Sequence, residues 1–134
     1  MGTEAFEEIH ARLRAILLAH VPPLYLASEG PTGLVLDLAP EGARNPSTWF
    51  GGVRVGKRYV SYYLMAVYGE PAMMDMMSPE LLKRMQGKSC FNFTRVDEPL
   101  FAELAKLTQA CLDLTGGDPT WGVSKRADRK ASGV

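Results

Sequence analysis

Four groups of side chains in this sequence have the types and spacing to do chemistry. Gly87-Lys88-Ser89 ends like a phosphate-binding loop, Met73, Met74, Met76 and Met77 crowd four thioethers together, Cys90 follows a lysine by two positions, and basic residues flank tyrosines. The loop reading fails on its own pattern. A phosphate loop needs a glycine five residues before Gly87, where Leu82 stands, and it must lead from a strand into a helix. Here a helix is expected before the triplet and a strand after it, so the triplet reads as a helix stop.

Thioethers ligate soft Cu(I), yet methionine also fills irregular gaps, and no histidine or second cysteine stands beside the Met73 to Met77 run. Packing or apolar contact is the expected role, with Met65 and Met85 extending it. His10 and His20 are the only histidines. On one helix they would lie about 80° apart in rotation and about 15 Å apart along the axis, too far for a shared metal or proton relay. Both are expected to be partly exposed. Lys88 could lower the Cys90 pKa, but alternation with Asn92 leaves the direction of the thiol open, and a buried structural cysteine is the simpler expectation. Asp37, Glu41, Glu70 and Asp75 read as solvated acids around strand ends, and Glu4, Glu7 and Glu8 as helix-end acids. No hydrolase triad, other catalytic set, metal set or cofactor motif is complete. The chain therefore reads as a non-enzyme more readily than as an enzyme.

The basic group gives the most specific expectation. If the reversal at Lys57 and Arg58 shares a side with Arg54, Lys83, Arg84 and Lys88, these residues with Tyr59, Tyr63, Met73, Met74 and Met77 form a ligand or partner surface. A homodimer, another protein or a small anionic ligand would suit it. Nucleic acid is disfavoured, because 15 basic residues balance 15 acidic ones over the 134-residue chain.

The elements that must position these groups follow from periodicity. Phe6, Ile9, Leu13, Ile16 and Leu17 predict an amphipathic helix from Thr3 to His20. Leu24 to Ala27 and Leu34 to Leu38 read as strands, then Trp49 to Val55 and Tyr59 to Tyr68 as a hairpin. On its second arm, Val60, Tyr62, Leu64, Ala66 and Tyr68 share one face, with Tyr59, Ser61, Tyr63, Met65 and Val67 on the other. Either a strand covered on both sides or an exposed aromatic surface fits this pattern. Ser78-Pro79-Glu80 starts a helix expected to reach Gln86 and stop at Gly87. Ser89 to Val96 is a strand, and Asp97 caps a last helix through about Leu112. The expectation is an α+β domain over residues 1 to 117, with about five mostly antiparallel strands packed by an N-terminal, a short and a C-terminal helix. Residues 118 to 134 read as a mildly basic flexible tail. No apolar run suits a membrane span, the acidic N-terminus lacks an export signal, and Cys90 and Cys111 are expected reduced. A cytoplasmic location follows.

YVSYYLMAVYGEP and SPELLKRMQGKSCFNF resemble the DUF1801 or YdhG-like group of small bacterial proteins, over about residues 5 to 113. The resemblance implies a compact α+β domain with a curved antiparallel sheet, similar in outline to frataxin-like proteins. It also implies iron or other metal handling as an alternative to binding. A small enzyme whose site converges only in three dimensions is the other alternative. The group supplies no agreed catalytic residues.

Overall fold

The computed structural model describes residues 2–21, 23–40, 48–87 and 89–116. Lys88, Glu41 and the 118–134 segment lie outside that set. The elements run α1 (Gly2–Leu18), β1 (Tyr25–Gly30), β2 (Gly33–Asp37), β3 (Trp49–Val55), β4 (Val60–Leu64), α2 (Met65–Gly69), a 3-10 helix (Pro71–Met76), α3 (Pro79–Leu82), β5 (Met85–Gln86), β6 (Cys90–Phe93) and α4 (Glu98–Thr115). The strands form one six-stranded sheet in the order β1-β2-β3-β4-β6-β5, antiparallel at every pairing. This is the α+β architecture expected from the pattern, with one strand more. The addition is β5, which is only two residues long.

Local chemistry explains where elements begin and end. The Ser78 hydroxyl accepts the Leu81 N–H at 3.2 Å, with Pro79 in the first turn of α3. At the start of α4, Asp97 accepts the Leu100 N–H at 3.2 Å, again with proline just inside. Side-chain oxygens thereby satisfy amides that no helical carbonyl can reach. Gly116, with φ 60°, closes α4 in the left-handed conformation that a side chain disfavours.

Three boundaries depart from the periodic reading. The second hairpin arm stops at Leu64 and turns into α2, so Ala66 and Val67 are both buried by a helix that covers the sheet end. The helix begun at Ser78 ends at Leu82, and Met85 and Gln86 pair with Phe91 and Cys90. Gly87, with φ 79°, therefore turns a hairpin between two strands and does not stop a helix. At the other end, α1 starts at Gly2, which places Thr3 inside the helix and not at its cap.

Side chains on one face of the sheet make the core. The cross-strand row Leu34, Val53, Tyr62 and Phe91 is buried, and so are Val60 and Phe93 one row away. Helices α1 and α4 close over them with Ile9, Leu13, Leu17, Leu100, Phe101, Leu104, Leu107 and Cys111. Tyr62 carries its hydroxyl to Thr108 on α4 at 2.6 Å, which satisfies a phenol otherwise stranded in apolar surroundings. Thr108 also donates to the Leu104 carbonyl at 2.7 Å. Burial raises the Tyr62 pKa well above its ordinary value, so this hydroxyl stays neutral. Outside the core, Arg12 grips Glu98 through both carboxylate oxygens and lies 5.8 Å over the Phe101 ring, tying α1 to α4. Arg14 pairs with Glu29 on β1.

Two ionisable groups are more buried than their sequence context suggests. Asp37 is fully buried; its Oδ1 accepts the Ala39 N–H at 2.9 Å, while Oδ2 has no hydrogen-bond partner among the described residues. His10 is 8% exposed and its Nε2 likewise has no partner among the described residues, which corrects the expectation of a partly exposed histidine. Burial, reinforced by the charge of Arg14, lowers the His10 pKa below its ordinary 6.5. The unfolded chain then binds a proton before the folded one does. The folded state is fully favoured above pH 6.5 and loses stability as pH falls from there toward the lower folded-state value. The melting temperature of the wild type is expected to drop between pH 7 and pH 5 by more than that of His10→Leu. Equal slopes for the two proteins would contradict this assignment.

Candidate functional site

The face of the sheet away from α1 and α4 carries the candidate site. Two cross-strand rows cover it, because antiparallel partners point the same way and successive residues alternate. One row is Gly33, Arg54, Ser61 and Asn92; the next is Val35, Gly52, Tyr63, Cys90 and Gln86. Lys57, Arg58 and Tyr59 enter from the β3–β4 turn, which is tightened by the Gly56 N–H donating to the Tyr59 carbonyl at 2.9 Å. Between them lies a cavity of about 460 Å³ lined by Arg54, Lys57, Arg58, Tyr59, Ser61, Tyr63, Gln86, Cys90 and Asn92, with the Gly56 backbone.

A chain of hydrogen bonds sets the polarity of the cavity wall. Asn92 Oδ1 accepts from Ser61 Oγ at 2.7 Å and from Cys90 Sγ at 3.3 Å. Asn92 Nδ2 donates to Gln86 Oε1 at 2.6 Å, and the Tyr59 hydroxyl reaches the same oxygen at 3.4 Å. Both amide oxygens are consumed inside the network. The Gln86 amide N–H groups, the second Asn92 N–H and the three cationic side chains offer donors to a guest, beside the hydroxyls of Tyr59, Ser61 and Tyr63, which can donate or accept. Among the described residues no aspartate or glutamate lines the cavity, and none pairs with Arg54, Lys57 or Arg58. All three cations are exposed. Among the described residues no acidic side chain pairs with their charge, which leaves it open to an anion.

Cys90 is half-buried and free, and it faces the cavity, not the core. Burial raises its pKa, with the nearby Ser61 and Tyr63 hydroxyls pulling the other way. The thiol is protonated at neutral pH and no histidine lies in the lining to take its proton. Cys111, in the core of α4, is fully buried and its thiol is pushed up to about 12. Iodoacetamide at pH 7.5 is expected to add once, at Cys90, about ten-fold more slowly than to an unhindered thiol, since only the thiolate attacks. Intact-mass spectrometry reads this directly. A rapid adduct, or two adducts on folded protein, would contradict the protonated and buried assignments.

The structure divides the surface that the sequence had pooled. Arg54, Lys57, Arg58, Tyr59 and Tyr63 meet in one cavity. Met73 and Met77 instead join the core, where the 3-10 helix packs beneath α2 and against α4. Met74 and Met76 are exposed but do not line this cavity. Lys83 and Arg84 are exposed at the end of α3 and also stand outside the lining. Asp75 is exposed and Asp37 buried, and no group of three or more His, Cys, Asp and Glu among the described residues is placed to hold a metal ion. Among those residues, no helix is long and apolar enough to cross a membrane.

Ser61, Gln86 and Asn92 complete the cavity without having been singled out in sequence. Two of them carried a signal. The alternation Cys90-Phe91-Asn92-Phe93 sets polar against aromatic side chains, and Ser61 lies between Tyr59 and Tyr63 on the same side of its strand. Gln86 carried none, because its strand is too short for a period to register. Compared with known proteins, the chain matches no family model, no curated protein and no solved structure.

Proposed function

We propose that this chain is a non-enzymatic, cytoplasmic binding domain whose ligand is a small anion held on the open face of the sheet. The observation that supports this reading is a donor-rich cavity in which Arg54, Lys57 and Arg58 converge and which no acidic side chain lines among the described residues. A guest carrying a carboxylate or phosphate would gain charge-assisted hydrogen bonds from a wall whose two amide oxygens are already occupied. The rigid strands beneath Ser61, Tyr63, Cys90 and Asn92 keep that wall in place before the ligand arrives. A thiol that is protonated and without a base supports binding in preference to nucleophilic chemistry.

Membership of the DUF1801 or YdhG-like group belongs to the same proposal. Its support is the Ser78 to Phe93 segment, where a capped helix start leads through a glycine turn into a strand.

Isothermal titration with inorganic phosphate and with acetate tests the reading, alongside protection of Cys90 from iodoacetamide by the same anions. Millimolar or tighter binding that weakens with added salt is expected, with Arg54→Ala losing about ten-fold, the cost of one charged hydrogen bond. Anions that neither bind nor protect Cys90 would overturn it.

A further inference from the structure

A second hollow adjoins the cationic cavity and has the opposite character. It measures about 500 Å³ and is bordered by Val35, Trp49, Gly51, Gly52, Tyr63, Met65 and Arg54. Arg54 and Tyr63 line both spaces, so the two lie side by side along the sheet. The register explains why the hollow exists. In the row Val35, Gly52, Tyr63, Cys90, the third strand contributes glycine, and a missing side chain between Val35 and Tyr63 leaves the sheet backbone bare as a floor. Trp49 stands at its edge with 46% of its surface exposed, a large aromatic left without the burial that its area favours. Among the described residues, no charged side chain other than Arg54 lines this compartment.

We propose that the ligand is an amphipathic organic anion, a carboxylate joined to an aromatic or alkyl body. The body lies on Gly52 between Trp49, Val35 and Met65, and the carboxylate lies among Arg54, Lys57 and Arg58. This inference rests on the anion-binding reading and names the class of ligand. A purely inorganic anion would leave the apolar compartment wet, and a neutral apolar guest would leave three cations unanswered. Each compartment is of the size that holds a small organic ligand. Tyr63 stands at the junction, where its ring can pack on the body while its hydroxyl stays on the polar side.

Titration calorimetry with 2-naphthoate, 2-naphthalenemethanol, acetate and phosphate separates the contributions of head and body. Naphthoate is expected to bind on the order of a hundred-fold more tightly than acetate, from burial of its rings. It should exceed the alcohol by about ten-fold, from the charged contacts. Trp49→Ala, at an exposed position, should weaken naphthoate about ten-fold while leaving acetate and phosphate unchanged. Arg54→Ala should bring naphthoate down to the alcohol, and thermal melts establish that both variants are folded. Acetate and phosphate binding with no gain for naphthoate would overturn the amphipathic ligand and leave the anion site standing. Naphthoate and the alcohol binding equally, with no response to phosphate, would overturn both readings, as would no binding by any of the four.

Discussion

Truncating Phe93 to alanine is expected to cost about 3–5 kcal/mol, enough to unfold a domain whose whole margin is of the order of 5–15 kcal/mol. Phe93 is 2% exposed and its ring meets Phe101 edge-on, 5.1 Å between centroids, an aromatic link from β6 to α4. Removing the ring deletes its transfer free energy, the edge-to-face contact and the packing partners of Val60, its neighbour across the strand. The surrounding strands cannot close the void because their spacing is fixed by backbone hydrogen bonds. Urea titration followed by far-ultraviolet circular dichroism should show the loss as a lower midpoint. Phe93→Leu, which keeps most of the volume, should lose under about 1.5 kcal/mol. Similar midpoints for the alanine variant and the wild type would contradict the assigned role.

Gly52→Val should lower stability by about 3 kcal/mol, at the upper end of what overpacking costs. A Cβ at Gly52 would stand 2.5 Å from the Leu34 carbonyl oxygen of the neighbouring strand, and that obstacle is backbone, which cannot swing aside. At Gly51 the Cβ would press on the Tyr63 carbonyl on the opposite side. The two glycines let β3 sit close to both neighbours, and a side chain at either one forces a pair of strands apart. Differential scanning calorimetry should find a melting temperature lowered by roughly 10 °C or more, given the few degrees per kcal/mol usual at this size. Gly30→Ala supplies the control, since nothing lies within 4 Å of its Cβ. If Gly52→Val melted with Gly30→Ala, the close approach of β2 and β3 would be refuted. The same residue floors the apolar hollow, so the constraint that fixes the strand spacing also opens the space for a guest.

Much of the scaffold was legible because local rules acted without competition. Pro79 and Pro99 just inside helix starts, Ser78 and Asp97 in front of them, and apolar residues every three or four positions in α1 and α4 gave type and placement together. The face shared by Tyr59, Ser61 and Tyr63 was legible for the same reason, as far as Leu64. Beyond that point alternation of apolar residues no longer separates strand from buried helix, and α2 takes over. Met73 and Met77 could be read as core or as contact surface, because methionine serves both alike, and only their burial places them in the core.

The cavity divides in the same way. Lys57, Arg58 and Tyr59 adjoin a turn, and their neighbourhood with Arg54 and Tyr63 is a property of one hairpin, four strand residues deep. That part the sequence determined by itself, through strand period and turn chemistry. Gln86, Cys90 and Asn92 reach the same cavity because β6 pairs with β4 and carries β5 beyond it, across a separation of about thirty residues. Period two states which side of a strand faces the core, but it is silent on which strands become neighbours and in what register. Tertiary structure decided that, since pairing depends on how α1 and α4 cover Tyr62, Phe91 and Phe93 together. The donor-lined pocket is a consequence of this packing.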